Sequence, residues 1–186
     1  LGNILKDLGN LKEAEIFTRK AIELKPDLFQ AHSNLGKILK DLGNLKEAEI
    51  STRQAIKLNP DCANTYNNLG IILRDLRNLK EAEISTRKAI ELSPNLAEVH
   101  SNLGNILRDL GNLKEAEIST RKAIELSPNL AEAHSNLGNI LRDLGNLKEA
   151  EISTRNSIEL NPNFADAYSN LGNILKDLGN LKEAEI

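Results

Sequence analysis

Asparagine stands at positions 34, 68, 102, 136 and 170, each 34 residues after the last. A second row at the same step holds Asn3, Lys37, Ile71, Asn105, Asn139 and Asn173. A primary amide carries one acceptor and two donors, the complement of a peptide unit. Such a side chain can grip a polypeptide backbone without reading the residues attached to it. Packed helices lie roughly 8–10 Å apart, and an extended chain advances about 3.3 Å per residue. One amide per repeat therefore meets roughly every third residue of an extended partner. The same amides have structural uses too, bonding between adjacent helices or facing water. Each hydrogen bond adds only about 0.5–1.5 kcal/mol net, so a few rungs imply weak, permissive binding.

Residues that recur at a fixed step need elements that recur with them. The stretch NLGNILRDLGNLKEAEI, Asn102 to Ile118, returns with few changes at Asn34, Asn68, Asn136 and Asn170, and Pro26, Pro60, Pro94, Pro128 and Pro162 keep the step. A period of this size means stacked supersecondary units. The expected fold is all-α, a right-handed superhelical solenoid of antiparallel helix-turn-helix repeats forming one domain over 1–186. Repeats fall at 1–28 (partial), 29–62, 63–96, 97–130, 131–164 and 165–186 (partial).

Two helices are predicted within 97–130. Asn95 caps the first while Glu98 reaches back, as Asn129 and Glu132 do one repeat later. Val99, Leu103, Ile106 and Leu110 follow the helical period, and Gly111 ends the helix. Asn112, with Glu115, caps a second helix that turns Leu113, Ala116, Ala123, Ile124 and Leu126 inward and stops before Pro128. The face opposite the first helix's apolar stripe carries Glu98, Ser101, Asn102, Asn105, Arg108 and Asp109, all polar. Glu117, Arg121 and Glu125 fall at i, i+4 and i+8, an exposed row of ion pairs that recurs as Glu83, Arg87 and Glu91. Gly104 and Ala116, with their equivalents, mark close helix contact.

Composition excludes several classes. A net charge of −3 gives no reason to expect nucleic acid or an anionic membrane as partner. Apolar runs of a few residues cannot span a bilayer. Cys62 is the only cysteine, which excludes an internal disulfide and suits a cytoplasmic, reducing setting. His32, His100 and His134 lie whole repeats apart, too far to converge on a zinc ion, and read as packing side chains with a hydrogen-bonded tip. No catalytic cluster and no cofactor motif stands apart from the repeat, so no enzyme activity is expected of these residues. The partners expected are polypeptide segments or other proteins. The chain opens at Leu1 and stops at Ile186 in mid-repeat, which points to a longer protein.

These positions resemble the tetratricopeptide repeat. Its pattern of an early aromatic, Leu-Gly, a second large residue, two alanines and a closing proline is matched by His100, Leu103-Gly104, Leu107, Ala116, Ala123 and Pro128. The chain departs at His32, His100 and His134, which replace the aromatic kept at Tyr66 and Tyr168. It departs also at Thr52, Thr86, Thr120 and Thr154, in place of a large residue, and at Ser157 for an alanine; these swaps suggest looser packing. The resemblance implies an array whose first helices line a concave groove. A carboxylate clamp of the cochaperone type would need cations where Glu98, Glu132, Asp166 and Ser101 stand. Only Lys37 and the flanking Lys40, Arg74, Arg108, Arg142 and Lys176 supply any. The segment Phe164 to Asn173 is similar to repeats of the O-linked N-acetylglucosaminyltransferases. That likeness implies a backbone-binding role for Asn34, Asn68, Asn102, Asn136 and Asn170, and a second possibility, the substrate-recruiting arm of a glycosyltransferase.

Overall fold

Each period becomes a pair of helices because its apolar residues keep a helical step while its chain-breaking glycine and proline fall between them. The computed structural model describes residues 10–180, and every regular element among them is an α-helix. The first helices of the repeats are α2 (Phe29–Asp41), α4 (Ala63–Asp75), α6 (Ala97–Asp109), α8 (Ala131–Asp143) and α10 (Ala165–Asp177). The second helices are α1 (Leu11–Leu24), α3 (Leu45–Leu58), α5 (Leu79–Leu92), α7 (Leu113–Leu126) and α9 (Leu147–Leu160). They group into two compact units divided between Pro94 and Asn95. In the first, α2 packs on α3 and α4 on α5, while α1 and α3 each also pack on the first helix that follows. The second unit repeats this plan with α6 on α7 and α8 on α9, and its first helices α6, α8 and α10 touch in succession.

The turn after each first helix is a Schellman closure. Gly111 donates its N–H to the carbonyl of Arg108 at 2.9 Å and Asn112 donates to Leu107 at 2.8 Å. This needs a left-handed residue, and Gly111 has φ +81°. Second helices stop where proline forces its predecessor out of the helical region. Ser127, before Pro128, has φ −142°.

The helix starts differ from expectation. Leu96 and Leu130, not Asn95 and Asn129, occupy the N-cap positions of α6 and α8, without side-chain caps. A turn in which Leu130 donates to the Ser127 carbonyl absorbs Asn129 and delays the helix by one residue. Asn112 does sit at the N-cap of α7, yet its side chain makes no cap bond. Among the described residues only Asn10 accepts such a bond, from the Glu13 N–H at 3.4 Å.

The core follows the predicted stripe. Val99, Leu103 and Ile106 are buried, as is Leu107, while Leu110 forms the half-buried C-cap. Burying one such leucine contributes about 2 kcal/mol. One core cluster joins Leu137, Leu141 and Ala150 of one repeat to Ile174 of the next, with Ile124 packed on it from the repeat before. The threonines do not loosen this packing. Thr120 is wholly buried and its Oγ1 donates to the Ala116 carbonyl at 2.9 Å. Ser157, in an alanine place, is wholly buried too and donates to the Ala131 carbonyl at 2.7 Å. Second-helix serines tie the two layers together: Ser119 donates to the His100 carbonyl and Ser153 to that of His134, both at 2.9 Å.

Candidate functional site

The first helices carry the amide rows, and the two units present them differently. In the second unit the Nδ2 of Asn136 donates to Ser101 Oγ and that of Asn170 to Ser135 Oγ, each at 2.9 Å. Ser101 and Ser135 are 3% and 2% exposed. The polar face expected to include Ser101 is therefore narrower, because that serine lies between adjacent first helices. One expected structural use of the amides, bonding between helices, is thus realised at two asparagines. Each such bond engages one N–H and leaves the side-chain carbonyl and the second N–H outside it. Asn102, Asn105 and Asn139 are half-buried, and Asn173 is exposed.

In the first unit Ser33 and Asn68 stand where Ser101 and Asn136 do, but the bond is missing. Asn68 Nδ2 is buried without a hydrogen-bond partner. Asn68 lines a cavity of about 240 Å³ together with Lys37, Ile71, Ile72, Lys40 and Asp41. Two candidate residues, Lys37 and Asn68, thus meet at one place. Asn34 is half-buried on the same helix as Lys37. Asn3 lies outside the described residues.

Of the cations flanking the rows, Lys40, Arg108 and Arg142 are engaged. Lys40 pairs with Asp41 at 3.1 Å. Arg108 pairs with Asp143 and Arg142 with Asp177, both at 2.5 Å, so each guanidinium reaches the carboxylate of the next repeat. On the second helices, Arg121 joins Glu117 at 2.9 Å as expected but not Glu125, which pairs with Lys122 at 2.7 Å. Its other N–H group crosses to Glu149 of the next repeat. That bond, with Glu117 helping, holds the guanidinium above its ordinary pKa. Arg53 bridges Glu49 and Glu81 in the same way.

The histidines pack as expected. His32 and His134 each hydrogen-bond through Nε2 to a proline carbonyl, Pro26 and Pro128, at 2.8 Å. Among the described residues no group of His, Cys, Asp and Glu converges on a metal position, and no helix is long and apolar enough to cross a membrane.

The second helices hold a feature that sequence reasoning left without a role. Ile50, Ile84 and Ile118 are each 69% exposed, one per repeat. Beside them lie open cavities of about 650 Å³ in the first unit, with Ile22, His32 and Ile50, and about 390 Å³ in the second, with Ile124, His134 and Ile152. The signal was present, since the isoleucine recurs at every step, but helical phase alone puts it outward and gives it no task.

Repeat models cover the chain. Those described as "Tetratricopeptide repeat" match residues 1–28, 29–62, 63–96, 86–118, 131–164 and 154–186, and one described as "TPR repeat" matches 104–145. No curated protein matches the sequence. Among solved structures, PilW, described as a widely conserved type IV pilus biogenesis factor, superposes with TM-score 0.89 at 22% identity over 99% of this chain and 86% of its own. YrrB, described as a TPR protein with an unusual peptide-binding site, gives 0.68 at 26% over 90% and 87%. A thermophilic TPR protein of Thermus thermophilus gives 0.81 at 22% over 94% and 95%. With the repeat matched from end to end and its helix pairs stacked as described, the chain belongs to the tetratricopeptide repeat family.

Proposed function

We propose that this chain is a protein-binding scaffold whose first-helix faces hold extended polypeptide through asparagine side chains paired with backbone amides. Asn34, Asn68, Asn102, Asn136 and Asn170 form the central row, and Asn3, Lys37, Asn105, Asn139 and Asn173 the second. The observation that carries this reading is the Asn136–Ser101 and Asn170–Ser135 pairing. A side chain anchored by one N–H loses less rotamer freedom on meeting a ligand, while its oxygen and second N–H remain able to pair with a peptide group. The peptide-binding site named for YrrB supports the assignment by likeness. Half-buried Cys62, unpaired, fits a cytoplasmic setting.

Fluorescence anisotropy with labelled, extended peptides of unrelated sequence tests it. Replacing Asn105, Asn139 and Asn173 together by Ala leaves the Ser-bonded row intact, so helicity and melting stay unchanged. Three lost bonds weaken capture roughly tenfold or more. Undiminished affinity in that variant would discard the amide ladder.

The segment Phe164 to Asn173 favours a second reading, an arm that recruits substrates for a glycosyltransferase domain of a longer protein. A nucleotide-sugar-binding α/β pattern in the coding sequence beyond Ile186 would support it, and a stop codon there would remove it.

A further inference from the structure

Three second helices pair a lysine with a glutamate three residues on: Lys20 with Glu23, Lys88 with Glu91 and Lys122 with Glu125, at 2.8, 2.6 and 2.7 Å. In α3 both partners change, to Gln54 and Lys57, so the acid kept at Glu23, Glu91, Glu125 and Glu159 becomes a base. Lys57 is exposed and makes no ion pair among the described residues.

Lys57 borders the open cavity of about 650 Å³ between α1 and α3. Helix α2 packs on both and floors the cavity with His32 and Leu35. Ile22 and Ile50 wall it, and Ile50 is largely exposed. The other charges here are matched: Arg19 bridges Glu15 and Glu47, Arg53 bridges Glu49 and Glu81, and Lys20 holds Glu23. The lining sets Arg19, Arg53 and Lys57 against Glu23 and Glu47, one positive charge in excess. The matching cavity of the second unit sets Arg121 against Glu125 and Glu149, one negative charge in excess. Equal shape with opposite charge marks the first groove for an acidic ligand that also carries an apolar group.

The backbones of α1, α2 and α3 are hydrogen-bonded within their own helices and offer a ligand side-chain contacts alone. An extended segment finds no backbone partners there, whereas a helix brings its own. Ile50 and Lys57 are seven residues apart, two turns or about 10 Å along α3. An acid is favoured in the first turn of its own helix. A helix that sets such an acid on Lys57 therefore runs antiparallel to α3.

We propose that the groove between α1 and α3 docks an amphipathic helix of a partner protein, with a glutamate in its first turn against Lys57 and a leucine seven residues later against Ile22, Leu35 and Ile50. The site lies on the second-helix layer and draws on none of the amide rows. It gives the chain a second binding face, selective for side chains.

The test uses a labelled peptide locked as a helix by a lactam bridge on its far face, with Glu and Leu at that spacing, and anisotropy on the whole chain. Its Leu-to-Ala version binds roughly tenfold or more weakly. Its Glu-to-Gln version binds roughly threefold more weakly, a gap that closes with added salt. Lys57→Glu, which restores the residue of the other repeats, reverses the order of the Glu and Gln peptides. Ile50→Ser weakens the Glu peptide roughly tenfold, whereas Ile152→Ser, in the second unit, leaves it unchanged; both side chains are exposed, so circular dichroism and melting stay as they were. Equal binding of the Glu and Gln peptides overturns the site, as do equal losses from Ile50→Ser and Ile152→Ser, or binding that never saturates. Weaker binding in the variant lacking Asn105, Asn139 and Asn173 would put the helix on the first-helix face and overturn it too. A chain that sediments as a dimer and becomes monomeric with Ile50→Ser replaces the partner helix by a second copy, and so overturns the proposal.

Discussion

A Cβ built on Gly104 would stand 2.0 Å from Oγ1 of Thr120 and 3.2 Å from the carbonyl oxygen of Ala116. The glycine and the threonine are therefore one contact, repeated as Gly36 with Thr52, Gly70 with Thr86 and Gly138 with Thr154. Half of it was legible in the sequence. Glycine within a helix signals close approach, but threonine in a large-residue place suggested slack. What the sequence hides is that the hydroxyl, bonded to the Ala116 carbonyl, fills the space beneath the glycine. Gly104→Ala gains about 1 kcal/mol of helix propensity and loses about 1–3 kcal/mol to overpacking. We expect net destabilisation of up to about 2 kcal/mol, read as a lower denaturant midpoint at unchanged slope. Adding Thr120→Ser frees the hydroxyl to rotate away and recovers part of the loss. Simple additivity of the two changes in a double-mutant cycle would contradict the contact.

Among the elements, helix bounds were readable because they rest on local rules of apolar period, glycine and proline. Caps were less so, since a cap bond depends on the orientation of one side chain and not on the pattern around it. Arg77 shows the local rule under stress: it occupies a Schellman position with φ +62° where other repeats have glycine. Arg77→Gly removes that strain and should stabilise the chain by roughly 1 kcal/mol in thermal or denaturant melts. Bonds between repeats were not readable at all. Spacing along a helix finds Glu117 for Arg121, but Glu149, 28 residues on, becomes a neighbour only through stacking. Both Arg121 and Glu149 are about half exposed, so a double-mutant cycle should give a coupling below about 1 kcal/mol that fades with salt. The Arg121 pKa is raised above its ordinary value, chiefly by the hydrogen bond to Glu149. A raised pKa places this contribution fully below the ordinary value, lost only as pH climbs through the raised one. Titration up to about pH 10 therefore leaves the coupling unchanged.

For the whole molecule, the 34-residue step carried most of the fold, because a repeat that touches only its neighbours needs few long-range decisions. The candidate face was less legible. Its rows could be placed by helical phase, but the Ser101 and Ser135 anchors and the cavity at Lys37 depend on how neighbouring helices meet. Deleting 131–164 brings α10 onto α7 in the place of α8, with Ala165, Leu171 and Ile174 replacing Ala131, Leu137 and Ile140. Such a chain should fold with full helicity per residue, and its denaturant slope should fall by roughly a fifth, in proportion to surface removed. A collapse of helicity would show that the junction is not interchangeable. The seam between the repeats 97–130 and 131–164 has one further property. Arg108 with Asp143 straps it in the first-helix layer, and Arg121 with Glu149 straps it in the second. Flexing that seam either way must pull on one strap, so added salt, which screens both exposed pairs, should soften it slightly while the apolar contacts across it hold.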